Sequence, residues 1–221
     1  MTENRDEERH AMTTMQYISK SEIKREQWQE AANLIWKAVP NAIIAKLGVK
    51  FNMLFYKTIA ENECSCAFLA HSPPGKSLGI IIGTLDRPLV YAAAVKNNVF
   101  RLMLAANFRM VRPAVIHWAI KGVLSKFNHK KMEEVSTRPA AELIVIAVQP
   151  EARGAGVAAN LVALMEKWMK SKGLEGHYTI LTEKSNERSN KFYAKIGSHF
   201  VETTLHHGRE INEWQKYLTQ E

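Results

Sequence analysis

The run Arg153-Gly154-Ala155-Gly156-Val157-Ala158 is the feature of this sequence best suited to do chemistry. It follows an apolar stretch ending at Val148 and opens an amphipathic one, so it reads as a turn between a strand and a helix. Glycines at such a turn let backbone N–H groups come close to a phosphate. The helix N-terminus adds roughly half a positive charge from its aligned peptide dipoles. Physically this is a cradle for a pyrophosphate, and an ordinary tight strand-to-helix turn uses the same residue types.

Other chemical fragments carry less. Gly75-Lys76-Ser77 resembles the end of a phosphate-binding P-loop. That motif needs a glycine five residues before Gly75, where Ala70 stands, and a helix after it, which the sequence lacks. The two cysteines, Cys64 and Cys66, are spaced so that on a strand they share a face and cannot readily bridge. Neither sits in a nucleophile motif. His206 and His207 adjoin, but no spaced ligand set accompanies them, so no metal is expected.

The elements that must position the cradle follow from periodicity. Met15–Ser19 reads as a short strand. A helix opened by Ser21 carries Trp28, Ala31, Ala32, Ile35 and Trp36 at three- and four-residue spacing. Pro40 and Asn41 interrupt it, and a second helical stretch runs from Ile43 to Ile59. Two strands, around CSCAFLAHS and SLGIIIGTLD, flank a PPGK turn and form a hairpin. Residues 94–131 read as a helical insertion split at Pro113, decorated with Arg101, Arg109, Arg112, Lys121, Lys126, Lys130 and Lys131. AELIVIAV is a strand covered on both faces. After the cradle helix come a strand, HYTILTE, a helix, NERSNKFYAKIG, and two closing strands. The order β-α-α-β-β, helical insertion, β-α-β-α-β-β implies one α/β domain over residues 14–221, with residues 1–13 a loosely attached tail.

Composition sets outer limits. The 221 residues are 46% hydrophobic and 24% charged, enough for a sizeable core. No apolar run approaches the ~18–20 residues that span a bilayer. The charged start, MTENRDEERHAMTT, does not read as a signal peptide. Two unpaired cysteines suit a reducing cytoplasm. A net charge of +8 favours anionic partners without choosing among them. Nucleic acid is not expected, because no basic, aromatic-studded surface motif accompanies the charge.

Residues 142–200 resemble the GNAT superfamily of N-acetyltransferases. Arg153, Gly156 and Ala158 occupy the specified positions of its (Arg/Gln)-x-x-Gly-x-(Gly/Ala) loop after a V-x-P strand end. Asn186-x-x-Ser189-x-x-Phe192-Tyr193-x-x-x-Gly197 is similar to its second C-terminal element. One departure is that Ser198 and His199 separate Gly197 from Phe200, where the family has Gly-Phe.

The resemblance implies a GNAT fold, a central mixed sheet of about seven strands with helices on both faces. It also implies an N-acyltransferase using acetyl-CoA or another acyl-CoA, without a metal or a covalent acyl-enzyme. By the same resemblance the donor's diphosphate lies on the amides of Arg153, Gly154, Ala155, Gly156, Val157 and Ala158. The amide of Val148 polarises the thioester carbonyl, Tyr193 is the general acid, and Asn186 and Ser189 lie along the pantetheine arm. The alternative for Tyr193 is a half-buried ring packed on the sheet, and Asn186 also suits a helix N-cap. Glu142 resembles the general base of the histone acetyltransferases, although a strand-end Glu facing solvent fits as well. Glu183, Asp86 and His71 are reserve bases.

The resemblance also implies a primary amine as acceptor, expected here to be a small molecule. Residues 39–60, with a proline, Lys46-Leu47-Gly48 and an aromatic helix ending Phe55-Tyr56-x-x-Ile59, resemble a bacterial subgroup. That subgroup acylates nucleotide-linked amino sugars for surface polysaccharides, lipopolysaccharide among them. The basic insertion could neutralise a nucleotide diphosphate, form a solvated face, or lie on a membrane surface. The alternatives are another small amine or a peptide amine, and a CoA-binding or nucleic-acid-binding protein without catalysis. A homodimer is compatible with all of these.

Overall fold

The structure, a computed structural model, describes residues 15–39, 43–73, 75–106, 140–206 and 208–218. A seven-stranded mixed sheet is built from β1 (Gln16–Ser19), β2 (Ser65–Ser72), β3 (Lys76–Thr84), β4 (Glu142–Val148), β5 (His177–Glu183), β6 (His199–His206) and β7 (Arg209–Tyr217), in the order β1-β2-β3-β4-β5-β7-β6. Every neighbouring pair is antiparallel except β4 and β5.

One face carries α1 (Arg25–Ala38), the short α2 (Ile43–Lys46), α3 (Val49–Glu61) and α4 (Arg87–Ala106). Trp28, Leu34 and Ile35 of α1 and Phe55 and Ile59 of α3 close over Leu69, Ile80, Ile82, Val145 and Ala147. The other face carries α5 (Val157–Ser171) and α6 (Glu187–Lys195). There Leu161, Met165 and Met169 meet Ile81, Tyr178 and Ile180. Each such side chain contributes about 1.5–3 kcal/mol on leaving water, so the two layers hold the sheet from both sides.

Two glycines set how closely α5 approaches. A Cβ on Gly83 would stand 2.5 Å from Met165 Sδ. One on Gly79 would stand 3.1 Å from Val157 Cγ1 and from the Ala147 carbonyl. Four residues apart on β3, they form a shallow track into which α5 sits.

The element order matches the sequence reading, with three differences in detail. Ser21 does not open α1. The Glu22 side chain accepts bonds from the Ser19 amide and hydroxyl, closing a turn there, and the helix starts at Arg25 with the Lys24 amide held by Gln27. Gly48, at φ 92°, splits the second helical stretch into α2 and α3. The helix expected from residue 94 begins at Arg87, because Pro88 fits a first helical turn and Asp86 Oδ1 caps the Leu89 amide at 3.0 Å. Gly75-Lys76-Ser77 leads into β3, with no helix after it. The insertion beyond Ala106, with Pro113 and the basic residues from Arg109 to Lys131, lies outside the described residues, as do the tail 1–13, Pro40–Asn41 and His207.

Candidate active site

The site begins where β4 and β5 part. Their parallel ladder holds only Glu142 against Thr179 and Leu143 against Ile180, after which the strands diverge. β4 carries a bulge at the same level: Val145 faces Ile82 and Leu143 faces Gly83, leaving Ile144 extra. A bulge adds local twist and turns the strand away from its partner. At the far end of β4 the Gln149 amide donates to Leu78 O of β3 at 2.8 Å. Alternation along a strand therefore aims the Val148 amide the other way, toward β5, into the opening.

The chain then makes a 3-10 turn over Pro150–Ala152 and reaches α5 through Gly154 (φ 84°) and Gly156 (φ 81°). Only glycine adopts this left-handed backbone without strain. No side chain caps α5, no acidic residue occupies its first turn, and its first helical bond is from Asn160 N to Gly156 O at 3.0 Å. The amides of Val157, Ala158 and Ala159 thus lack intrahelical acceptors. A Cβ built on Gly154 or Gly156 meets nothing within 4 Å. An uncapped, positively polarised helix end beside open space fits a diphosphate. Arg153 is exposed, and its amide is turned back to Pro150 O at 3.3 Å, so the open amides begin after it.

Tyr193 is 4% exposed, in the same apolar cluster as Ile146, Val148, Ala155 and Val157. Burial pushes its phenol well above the ordinary value, so it stays protonated. Asn186 caps α6, its Oδ1 accepting the Ser189 amide at 3.2 Å, and Ser189 is half-buried beside it. Glu142 stands apart from these groups. It is six residues before Val148, roughly 20 Å along the strand, 7% exposed and ion-paired with Arg87 Nε at 3.3 Å. Among the reserve bases, Asp86 is the α4 cap, and His71 lies at the end of β2 with Nδ1 buried and without a hydrogen-bond partner. Glu183 ends β5, at the mouth of the opening.

The sequence model of the acetyltransferase (GNAT) family matches residues 118–198, a span that includes β4, the glycine turn, α5, β5 and α6. The likeness to the GNAT family is carried by that segment, which is less than half of the chain. The fold is similar to that of several solved structures. One, described as SsHAT, is 14% identical over 94% of this chain and all of its own, with a TM-score of 0.61. An N-acetyltransferase from Staphylococcus aureus Mu50 is 15% identical over 93% of this chain and 99% of its own, at 0.57. The ribosomal-protein-S18-alanine N-acetyltransferase from Escherichia coli is 12% identical over 94% and 96%, at 0.53. No curated protein matches the sequence.

No group of three or more His, Cys, Asp or Glu among the described residues could hold a metal ion. No helix among them is long and apolar enough to cross a membrane. Cys66 is buried, and its thiol is pushed up to about 12, which leaves it inert as a nucleophile.

Two parts of the site escaped the sequence. Asn190 donates to the carbonyls of Glu183, Lys184 and Asn186, and its Oδ1 accepts from Asn212 Nδ2 and Trp214 Nε1, both at 3.1 Å. It ties α6, which carries Tyr193, to β5 and β7. Only its position one turn after Asn186 hinted at it. Arg209 was also missed: its Nη1 bonds Glu183 Oε1 at 2.6 Å. The pairing joins residues 26 apart in sequence, a distance no local pattern encodes.

Proposed function

We propose that this protein is an N-acetyltransferase that transfers the acetyl group of acetyl-CoA to the primary amine of a nucleotide-linked (dTDP- or UDP-) amino sugar, in the cytoplasm and for surface polysaccharide. The observation that carries the acetyl-transfer half is the Val148 amide aimed into the β4–β5 opening, one short turn from the uncapped end of α5. The sugar-nucleotide half is supported by the likeness of residues 39–60, of which α2 and α3 form part of the layer over β2 and β3. The net charge of +8 adds to it; Lys96 and Arg101 are exposed on α4. We read residues 14–221 as one catalytic domain.

In this reading the amides of Gly154, Ala155, Gly156, Val157 and Ala158 hold the diphosphate, with the Arg153 side chain beside them. The Val148 amide donates to the thioester carbonyl oxygen, an interaction worth ~100-fold or more where charge develops on that oxygen. Tyr193 returns a proton to the departing thiolate. Asn186 and Ser189 flank the pantetheine arm while capping α6. Glu142, buried against Arg87, is too far along β4 to touch an amine at Val148 unless water relays the proton. A carboxylate at the mouth of the opening is better placed.

Thiol release from acetyl-CoA tests the proposal, with dTDP- and UDP-linked amino sugars set against polyamines, amino acids and basic peptides. Turnover of the sugar nucleotides above the others is the expected result. Turnover of peptides or polyamines alone would retire the sugar half and leave acetyl transfer standing.

A further inference from the structure

Three residues beyond its last pair with β4, β5 ends at Glu183, roughly 10 Å into the opening and level with Ile146 on the other side. Tyr178 and Ile180 pack in the α5–α6 layer, so alternation puts the Glu183 side chain on the α1–α3 face. A cavity of about 380 Å³ lies there, lined by Lys46, Glu183, Lys184, Ser185, Arg209 and Glu210. Lys46 arrives from α2, Glu183 to Ser185 from the end of β5, and Arg209 and Glu210 from the start of β7. Every lining side chain is polar. Three are cations and two are carboxylates, and the ion pairs among them include Arg209 with Glu183 at 2.6 Å and Lys184 with Glu210 at 2.8 Å. Glu183 and Arg209 are 24% and 33% exposed, so charge recognition here is less screened than on an open surface.

A wall of this kind discriminates. A polyamine would meet three cations, and a neutral amine would leave the paired charges without an equivalent partner when it displaced their water. An amine that also bears an anionic group answers both signs. Its ammonium faces Glu183, and its phosphate or carboxylate faces Arg209, Lys184 and Lys46, with the guanidinium offering a forked contact.

We propose that this cavity is the acceptor seat, that it selects amines carrying an anionic group, and that Glu183 is the base. The inference rests on the acetyl-transfer reading. One N–H proton of the ammonium passes to the Glu183 carboxylate. The freed nitrogen lone pair forms the C–N bond to the acetyl carbon, the C–S bond breaks, and the thiolate takes a proton from Tyr193. A second N–H proton is lost to water, from which Tyr193 regains its own, leaving the neutral amide and the phenol.

The full chain is assayed for thiol release from acetyl-CoA with glucosamine, glucosamine 6-phosphate, a UDP-linked amino sugar, β-alanine and spermidine. Among these, phosphate-bearing, carboxylate-bearing and purely cationic amines separate the sources of the anion. The expected result is a kcat/KM about ten- to a hundredfold higher for an anionic amine than for glucosamine or spermidine, the scale of one or two charge-assisted hydrogen bonds. Arg209→Gln should erase most of that preference, and Glu183→Gln should lower kcat for every amine. CoA affinity by calorimetry should hold in both variants, which shows that they remain folded. Equal or better turnover of glucosamine or spermidine overturns the seat alone, as does a preference that survives Arg209→Gln. No thiol release with any amine, together with no CoA binding, overturns acetyl transfer and the seat with it.

Discussion

Replacing Gly156 with alanine separates the backbone role of the cradle from its binding role, because α5 supplies its own control. Gly156 precedes the helix at φ 81°, and Gly173 follows it at φ 80°. A Cβ on either meets nothing within 4 Å, so neither substitution causes an internal clash. Both force alanine into the left-handed region, at about 1–2 kcal/mol. For a chain of this size that is a fall of about 2–8 °C in Tm, the same for both variants within error. Only Gly156 borders the open amides of the first turn. A methyl group there displaces an anion from one or two charge-assisted bonds, a loss of about ten- to a hundredfold in affinity. Differential scanning fluorimetry without ligand and calorimetry with CoA read the two effects apart. Gly156→Ala should lose both stability and CoA affinity, and Gly173→Ala stability alone. If Gly156→Ala binds CoA as the unaltered chain does, the diphosphate does not lie on this turn.

Tyr193→Phe should lower kcat by about a hundredfold or more, the scale of general acid catalysis, and leave KM for acetyl-CoA unchanged. Because burial raises the Tyr193 pKa, the kcat profile should show no alkaline limb from this group below the ordinary phenol range; full activity in the variant removes Tyr193 from the mechanism. The thiol of Cys66 is raised from 9.0 to about 12 and the phenol of Tyr56 from 10.0 to about 12. Above pH 9 the unfolded chain therefore sheds protons that the folded chain keeps, and stability falls as pH rises from 9 toward 12. Urea denaturation at pH 8 and pH 10.5 measures the fall, and Cys66→Ala should make it shallower. Asn190→Ala removes the acceptor of Trp214 Nε1 and Asn212 Nδ2. It should cost about 1–3 kcal/mol of stability with an unchanged urea m-value.

The apolar periodicities of α1, α5, β3 and β4 were legible because each element buries one or both faces, and burial is what hydrophobic patterning records. The turn before α5 was legible because two left-handed backbone positions demand glycine at fixed spacing. Gly79 and Gly83 were present in the sequence as breaks in the strand SLGIIIG, the usual sign of close backbone approach, but their partner on α5 is 78–86 residues away. Glu142 was legible as the start of the buried strand, but its ion pair and its distance from the β4–β5 opening were not. Its position follows from which end of β4 pairs with β5 and from Arg87, neither of which a linear pattern contains. The Glu183–Arg209 pair was out of reach for the same reason, since it depends on β7 lying between β5 and β6.

The two-pair seam between β4 and β5 divides the sheet into a four-stranded half and a three-stranded half, with few main-chain bonds between them. Cooperativity across the molecule then leans on side-chain packing under α5 and α6. In hydrogen-exchange terms, the amides of β5 and β7 should open as a unit separate from those of β2 and β3. An extended arm with its own amide groups, laid between β4 and β5, would supply the cross-links the ladder omits. The donor would then serve as a removable eighth strand, and protection on the two sides of the seam should converge when it is bound.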